Sequence, residues 1–478
     1  MTIIAQPRLG IHDPHDCTDA NDELTILHAV YDTLVRRQGQ DFAPLLARSW
    51  EIAEDGRRWT FELAEGVTFH DGTPCDAAAV QANLERMARE DKGYTLGAPA
   101  VWRQYLGGAV YEVAGPTRLT VTLAQPMADL LDVLEQGFIA APGAFAALDA
   151  GDLTAQVGTG PYRIDSITPD RITALRLDSH HDALPPNPRM VWQLETDAAR
   201  RHALLADGRV QVANALDFEA SRGLGAMRHE FLSPVAIIYL LNAASGPLAD
   251  ARTRLALSLA VDREALIDTV LGGAARPLRG FVSPNHFGAG SGAGARMDRD
   301  RARALLAEAG HGDGLTLELD CPTRLPDEAQ RLTAALGDQL SQVGVALNVH
   351  VHEDREAYAH MVRRKEIRDL CVFDSSPMST YRVLYEKIDS RIAGSWWQGY
   401  ANPAIEALID KGRVTADREA RAALWREAYG LLQEDPAWLT LYNPLKVIGI
   451  AGNHADFAMP ADGVIDVRAL PLLNEEEQ

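Results

Sequence analysis

Residues 45–87, LLARSWEIAEDGRRWTFELAEGVTFHDGTPCDAAAVQANLERM, constrain the fold of this chain more than any other stretch. Residues 49–52 (SWEI) and 59–63 (WTFEL) alternate large apolar with polar side chains, the pattern of half-buried strands. Glu54-Asp55-Gly56 lies between them, and glycine there permits the positive φ of a hairpin turn. A short extended piece, 67–70, is turned by Asp71-Gly72. Asp76 is then placed to N-cap a helix whose Val80, Leu84 and Met87 form one apolar stripe.

In order and residue type this segment resembles the extracytoplasmic solute-binding proteins of ABC transporters, in the branch that handles dipeptides, oligopeptides and nickel chelates (solute-binding family 5). Further matches are VYDTLVRR at 30–37, VGTGPYR at 157–163, LLNAASGPLADARTRLALSLAVDREALI at 240–267, and the last third from Trp396 to Ile450. The resemblance implies an α/β, two-lobed periplasmic-binding-protein-like fold of type II with an extra subdomain in lobe one. Lobe one is expected at 1–235, with 35–155 as the inserted subdomain. Lobe two is expected at 236–446, and 447–478 returns to lobe one. The implied function is capture of a small peptide-like or nitrogen-containing solute in an interlobe cleft, without a cofactor and without covalent chemistry. The implied partners are ABC permease subunits, if the protein is exported, and the binding protein itself is expected to be a monomer.

Length agrees with more than one domain, because 478 residues exceed one ordinary core. A net charge of −21 argues against nucleic acid and anionic membranes as partners, since both would be repelled. No apolar run approaches the roughly 20 residues of a membrane helix. The first residues, MTIIAQP, lack the basic and apolar regions of an export signal. Resemblance therefore points to the periplasm and the first residues to the cytoplasm. A cytoplasmic sensor, or a hydrolase of the captured solute, is the competing expectation. Cys17, Cys75, Cys321 and Cys371 have no metal-like spacing and are expected as free thiols.

The chain carries no GxSxG, HExxH, P-loop or strand-following GxGxxG pattern, so no enzyme class is proposed by motif. From residue 302 onward helices alternate with strands, which predicts a largely parallel sheet. Ligands of such sheets bind beyond the carboxyl ends of strands. Two such ends are 321–324 and 374–376. In peptide-binding relatives an Asp after a lobe-two strand, within a DxPDP-like segment, holds the ligand amine. Here the text is FDSSPMS, so Asp374, with Ser375 and Ser376, takes that place only if displaced by a few positions. Arg324 is the nearest match to the arginine that pairs a ligand carboxylate. Trp396-Trp397 offers an aromatic wall. In the relatives the loop before the first helix lies near the cleft, which makes His12, His15 and Asp16 candidate ligand neighbours. Asp178-Ser179-His180-His181-Asp182 has metal-binding residue types. Adjacent side chains of an extended segment point to opposite faces, however, so no metal is assigned there. His350 and His352 share a strand face but make only a two-histidine pair.

Overall fold

The computed structural model describes residues 1–16, 20–93, 101–290, 296–324, 326–454 and 456–472. Cys17, part of the 288–294 glycine-rich loop and the acidic tail 475–477 lie outside the described residues. The described chain divides into two compact units, one of 1–93, 101–231 and 446–472, the other of 232–445.

In the first unit the strand Thr2–Gln6 runs parallel to both its neighbours, Arg189–Leu194 and Val212–Leu216. Arg171–Arg176 and Tyr162–Thr168 continue the sheet antiparallel on one side. On the other side Val212–Leu216 pairs antiparallel with the end of Trp438–Ile450, Val212 opposite Ile450. Ile4, Ile26, Tyr31, Phe138, Trp192 and Ile448 are buried together over this sheet. A separate antiparallel sheet orders Ala47–Ile52, Arg58–Leu63, Arg118–Thr122 and Val110–Val113. Its hairpin sets Trp50 opposite Phe61, with Gly56 at φ 66° in the turn. Asp76 accepts a hydrogen bond from the Ala79 amide at 2.9 Å and starts the helix Ala77–Met87.

The apolar spacing of residues 24–34 predicts one helix over 23–36, and here the structure differs. The helix is Asn21–Val30, Tyr31 is extended (φ −120°, ψ 146°), and Val35–Gln38 is a strand. The reason is tertiary. Gly158 and Gly160 press against the Val30 carbonyl, which accepts the Gly160 amide at 2.9 Å and is unavailable for another helical turn. Asp32 is thereby carried into the interior.

In the second unit Val345–His352, Leu315–Pro322 and Leu370–Ser375 are parallel neighbours. Ala236–Leu241 follows antiparallel, and then the start of Trp438–Ile450. All six residues of Ala236–Leu241 are buried, as a strand covered on both faces requires. Leu317, Leu319, Leu332, Leu336 and Leu340 are fully enclosed in this core. Asp250, Asp262, Asn402 and Asp417 each cap a helix through the side chain. Cys75, Cys321 and Cys371 are free and buried.

Candidate functional site

The second unit brings several predicted residues to one edge of its sheet. Leu315–Pro322 and Leu370–Ser375 are paired in parallel, so Arg324 and Asp374 belong to the same carboxyl edge. Arg324 is exposed just past its strand. Asp374 is half-buried, opposite Ile237 in the antiparallel register. Ser375 is buried and accepts a 3.1 Å hydrogen bond from Nζ of Lys387, itself buried. Ser376 is half-buried beyond it.

The two tryptophans have different surroundings. The Trp396 ring packs on Phe373, centroids 4.7 Å apart at 39°. Trp397 instead donates its indole N–H to the Tyr400 carbonyl at 2.6 Å. The loop before them is held by Lys365, whose Nζ donates to the carbonyls of Gly394 and, at 2.8 Å, Ser395. Burial lowers the Lys365 amine to about 8. Lys365 and Lys387 escape a reading of the sequence, because a lysine whose ammonium reaches a distant carbonyl or hydroxyl leaves no local pattern. Phe373 adjoins Asp374, and inspection of the strand end could find it.

The first-unit candidates are arranged otherwise. His15 is fully buried, and its Nδ1 accepts from Arg86 at 2.7 Å while Nε2 donates to the Phe138 carbonyl at 3.0 Å. Burial, reinforced by the Arg86 charge, lowers this imidazole to about 4. Both ring nitrogens are thus engaged inside the unit, which leaves His15 a packing residue and not a ligand neighbour. Asp16 is exposed, and its amide donates to the Asp13 carbonyl at 2.9 Å. His12 lies 3.3 Å from Glu23, which raises its pKa through a hydrogen bond.

Residues 178–182 are not extended, contrary to the expectation that sends His180 and His181 to opposite faces. The loop bends after the strand Arg171–Arg176, and both imidazoles reach the buried Asp32. His350 and His352 do share a face, and each meets a carboxylate of the adjacent strand. His350 lies 2.5 Å from Glu318, and His352 lies 2.8 Å from Asp320.

A mixed α/β chain with these sheets and this strand order has the type II periplasmic-binding-protein fold. HbpA2 from Haemophilus parasuis superposes with a TM-score of 0.83 at 20% identity, covering 97% of each chain. DppA from Helicobacter pylori, in complex with the peptide STSA, gives 0.75 at 20% identity, covering 98% of this chain and 96% of that one. The glutathione-binding protein GsiB of Salmonella paratyphi A is 26% identical over 449 residues, 90% of this chain and 86% of that protein. Residues 41–402 match the model of the bacterial extracellular solute-binding proteins, family 5. The chain belongs to that family and is a solute-binding protein of the ABC-transporter class. Proteins of this family bind solutes rather than transform them and are extracytoplasmic. Among the described residues no helix is long and apolar enough to cross a membrane.

Proposed function

We infer that this protein reversibly captures a small peptide-like or nitrogen-containing solute outside the cytoplasm and hands it to ABC permease subunits, without chemical conversion. The observation that carries the reading is that the strands leading to Arg324 and Asp374 run parallel as neighbours, so that both residues follow from one carboxyl edge of the second-unit sheet. An acid and a guanidinium there suit the amine and carboxylate ends of a zwitterion, the latter by a bidentate fork. Trp396 packs on Phe373, which leaves the opposite face of the strand from Asp374, and supplies an apolar surface at the same strand end. The similarity to a glutathione-binding protein supports a short, peptide-like ligand. The test is calorimetry of the purified chain against di- to tetrapeptides and glutathione, paired with mass spectrometry of the recovered ligand. Saturable binding that D374N and R324A each weaken, with ligand recovered intact, supports the reading. Turnover of ligand in excess of protein overturns it in favour of a hydrolase.

A further inference from the structure

Asp32 is fully enclosed in the first unit, and two consecutive imidazoles converge on one of its oxygens. Nε2 of His180 lies 3.2 Å and Nε2 of His181 2.7 Å from Oδ2. The His180 side chain is 2% exposed and that of His181 12%. The three potential ligand atoms all lie within 4.8 Å of one another. The other oxygen, Oδ1, accepts Nη2 of Arg468 at 2.5 Å, which leaves Oδ2 to the histidines. Nε2 of His180 also faces the Thr159 carbonyl at 3.0 Å.

Two further buried atoms, on residues that line one groove with His180 and His181, lack a partner among the described residues. His70 commits Nε2 to the Gly160 carbonyl at 2.8 Å, and its buried Nδ1 has none. The buried Oγ1 of Thr159 has none either. His70, Thr159, His180 and His181 all line one groove of about 750 Å³ that Arg48 and Glu65 border. Buried polar atoms without partners are uncommon in folded proteins, and each calls for an explanation.

We propose that Asp32, His180 and His181 form a site for one divalent transition-metal ion of the zinc type, completed by water from this groove. Two imidazoles and a carboxylate are a borderline donor set that suits zinc, with an open fourth position. Ligand atoms about 2.0–2.1 Å from zinc stand about 3.3 Å apart in a tetrahedron. The 3.2 Å separation already meets that spacing, and the 2.7 Å one opens by about half an ångström. Arg468 on Oδ1 orients the carboxylate as a supporting partner does in metal sites. His70 and Thr159, which line the same groove, hold the unpartnered acceptors Nδ1 and Oγ1 that water in the groove would use.

Metal uptake has one local consequence. The Asp182 amide donates to Nδ1 of His180 at 3.1 Å, so without metal this ring carries its proton on Nε2. Binding moves that proton to Nδ1, ends the Asp182 contact and releases no net proton from the ring. The site is made wholly of first-unit residues, and its proposal uses none of the residues assigned to solute recognition above.

The experiment is titration of the full chain, stripped with EDTA, with ZnCl2 by calorimetry and with CoCl2 by visible absorption. One equivalent of zinc and a tetrahedral cobalt band are expected. H180Q/H181Q is expected to weaken binding about 100-fold or more, since even outer-partner changes cost 10–100-fold. H350Q/H352Q, which removes the other histidine pair, leaves both signals unchanged. If the double variant does not fold, H181Q alone, at the more exposed position, must lose the cobalt band. Equal metal content in wild type and a folded H180Q/H181Q or H181Q variant overturns the proposal. So does a wild-type chain that takes up no stoichiometric metal, in which case the cluster is a hydrogen-bonded network around Asp32.

Discussion

Arg86 grips Asp13 with both arms of its guanidinium, Nη1 at 2.8 Å from Oδ1 and Nη2 against Oδ2. Lys92 adds its Nζ at 2.7 Å from the same Oδ2. All three side chains are less than a tenth exposed. Burial by itself would raise the Asp13 carboxyl, but Arg86 and Lys92 outweigh it and hold the group far below its ordinary value. A depressed acid contributes stability that is present above its unfolded pKa, near 3.9, and fades as pH falls further.

Replacing Asp13 by Ala therefore leaves two buried cations whose remaining carboxylate partner among the described residues is the partly exposed Asp149. Breaking one side of a buried pair costs about 3–5 kcal/mol, and D13A is expected within that range at pH 7. Urea unfolding measures it. A loss below about 1 kcal/mol, the scale of a surface pair, would show that the cluster is no more than a solvated ion pair.

The legibility of the chain divides along the same line between local and distant causes. The Trp50–Phe61 hairpin, the Asp76 cap and the caps at Asn402 and Asp417 are written in neighbouring residues, and the sequence pattern is enough to place them. The carboxyl edge bearing Arg324 and Asp374 follows from strand–helix alternation. Asp32 is beyond such a reading, because the apolar period of its helix continues through Leu34 while the backbone leaves the helix at Val30. What stops it is a glycine pair more than a hundred residues later. The meeting of His180 and His181 is hidden for a related reason, since the opposite-faces rule holds only for an extended segment and theirs bends.

That glycine pair gives a second prediction. A Cβ on Gly160 would stand 2.6 Å from the Ala29 carbonyl oxygen and 2.6 Å from the Val30 carbonyl carbon, both backbone atoms that cannot rotate away. Overpacking of this kind costs about 1–3 kcal/mol or more, and G160A is expected at the upper end. A Cβ on Gly143 would meet nothing within 4 Å, and its φ is not positive, so G143A is the control. Thermal melts of the two variants should separate clearly. Equal melting temperatures would mean that the segment around Val30 yields at little cost.

Trp396 and Trp397 are adjacent, yet their surroundings assign them different work. W396A removes the ring that packs on Phe373 at the strand end that also carries Asp374, and on the proposed reading it is expected to weaken solute binding about tenfold, the scale of one good aromatic contact. W397F deletes the 2.6 Å bond to the Tyr400 carbonyl and is expected to lower stability by about 1 kcal/mol while leaving affinity within about twofold. Calorimetry with a bound peptide and urea unfolding read the two effects separately. The assignment fails if W397F loses affinity and W396A does not.

The last prediction concerns an acid whose shift runs the other way. Asp22 is buried in the first turn of the helix Asn21–Val30, and burial raises its carboxyl to about 6 in spite of a 2.7 Å hydrogen bond from Asn214. Its unfolded value is near 3.9. Between pH 4 and 6 the folded chain therefore holds more of this proton than the unfolded chain, and stability falls as pH rises through that window. Above pH 6 the full cost of the buried carboxylate is present, about 3 kcal/mol for a displacement of this size. D22N keeps an oxygen for Asn214 and removes the charge, so it should stabilise the chain by about 2 kcal/mol at pH 8. The gain should shrink through pH 6 and vanish near pH 4, where the wild-type acid is itself protonated. Urea midpoints of both proteins at pH 4, 6 and 8 measure the difference directly, and other titrating groups cancel in the comparison. A gain that is constant across the three pH values would show that it comes from packing, and that Asp22 titrates near its ordinary value.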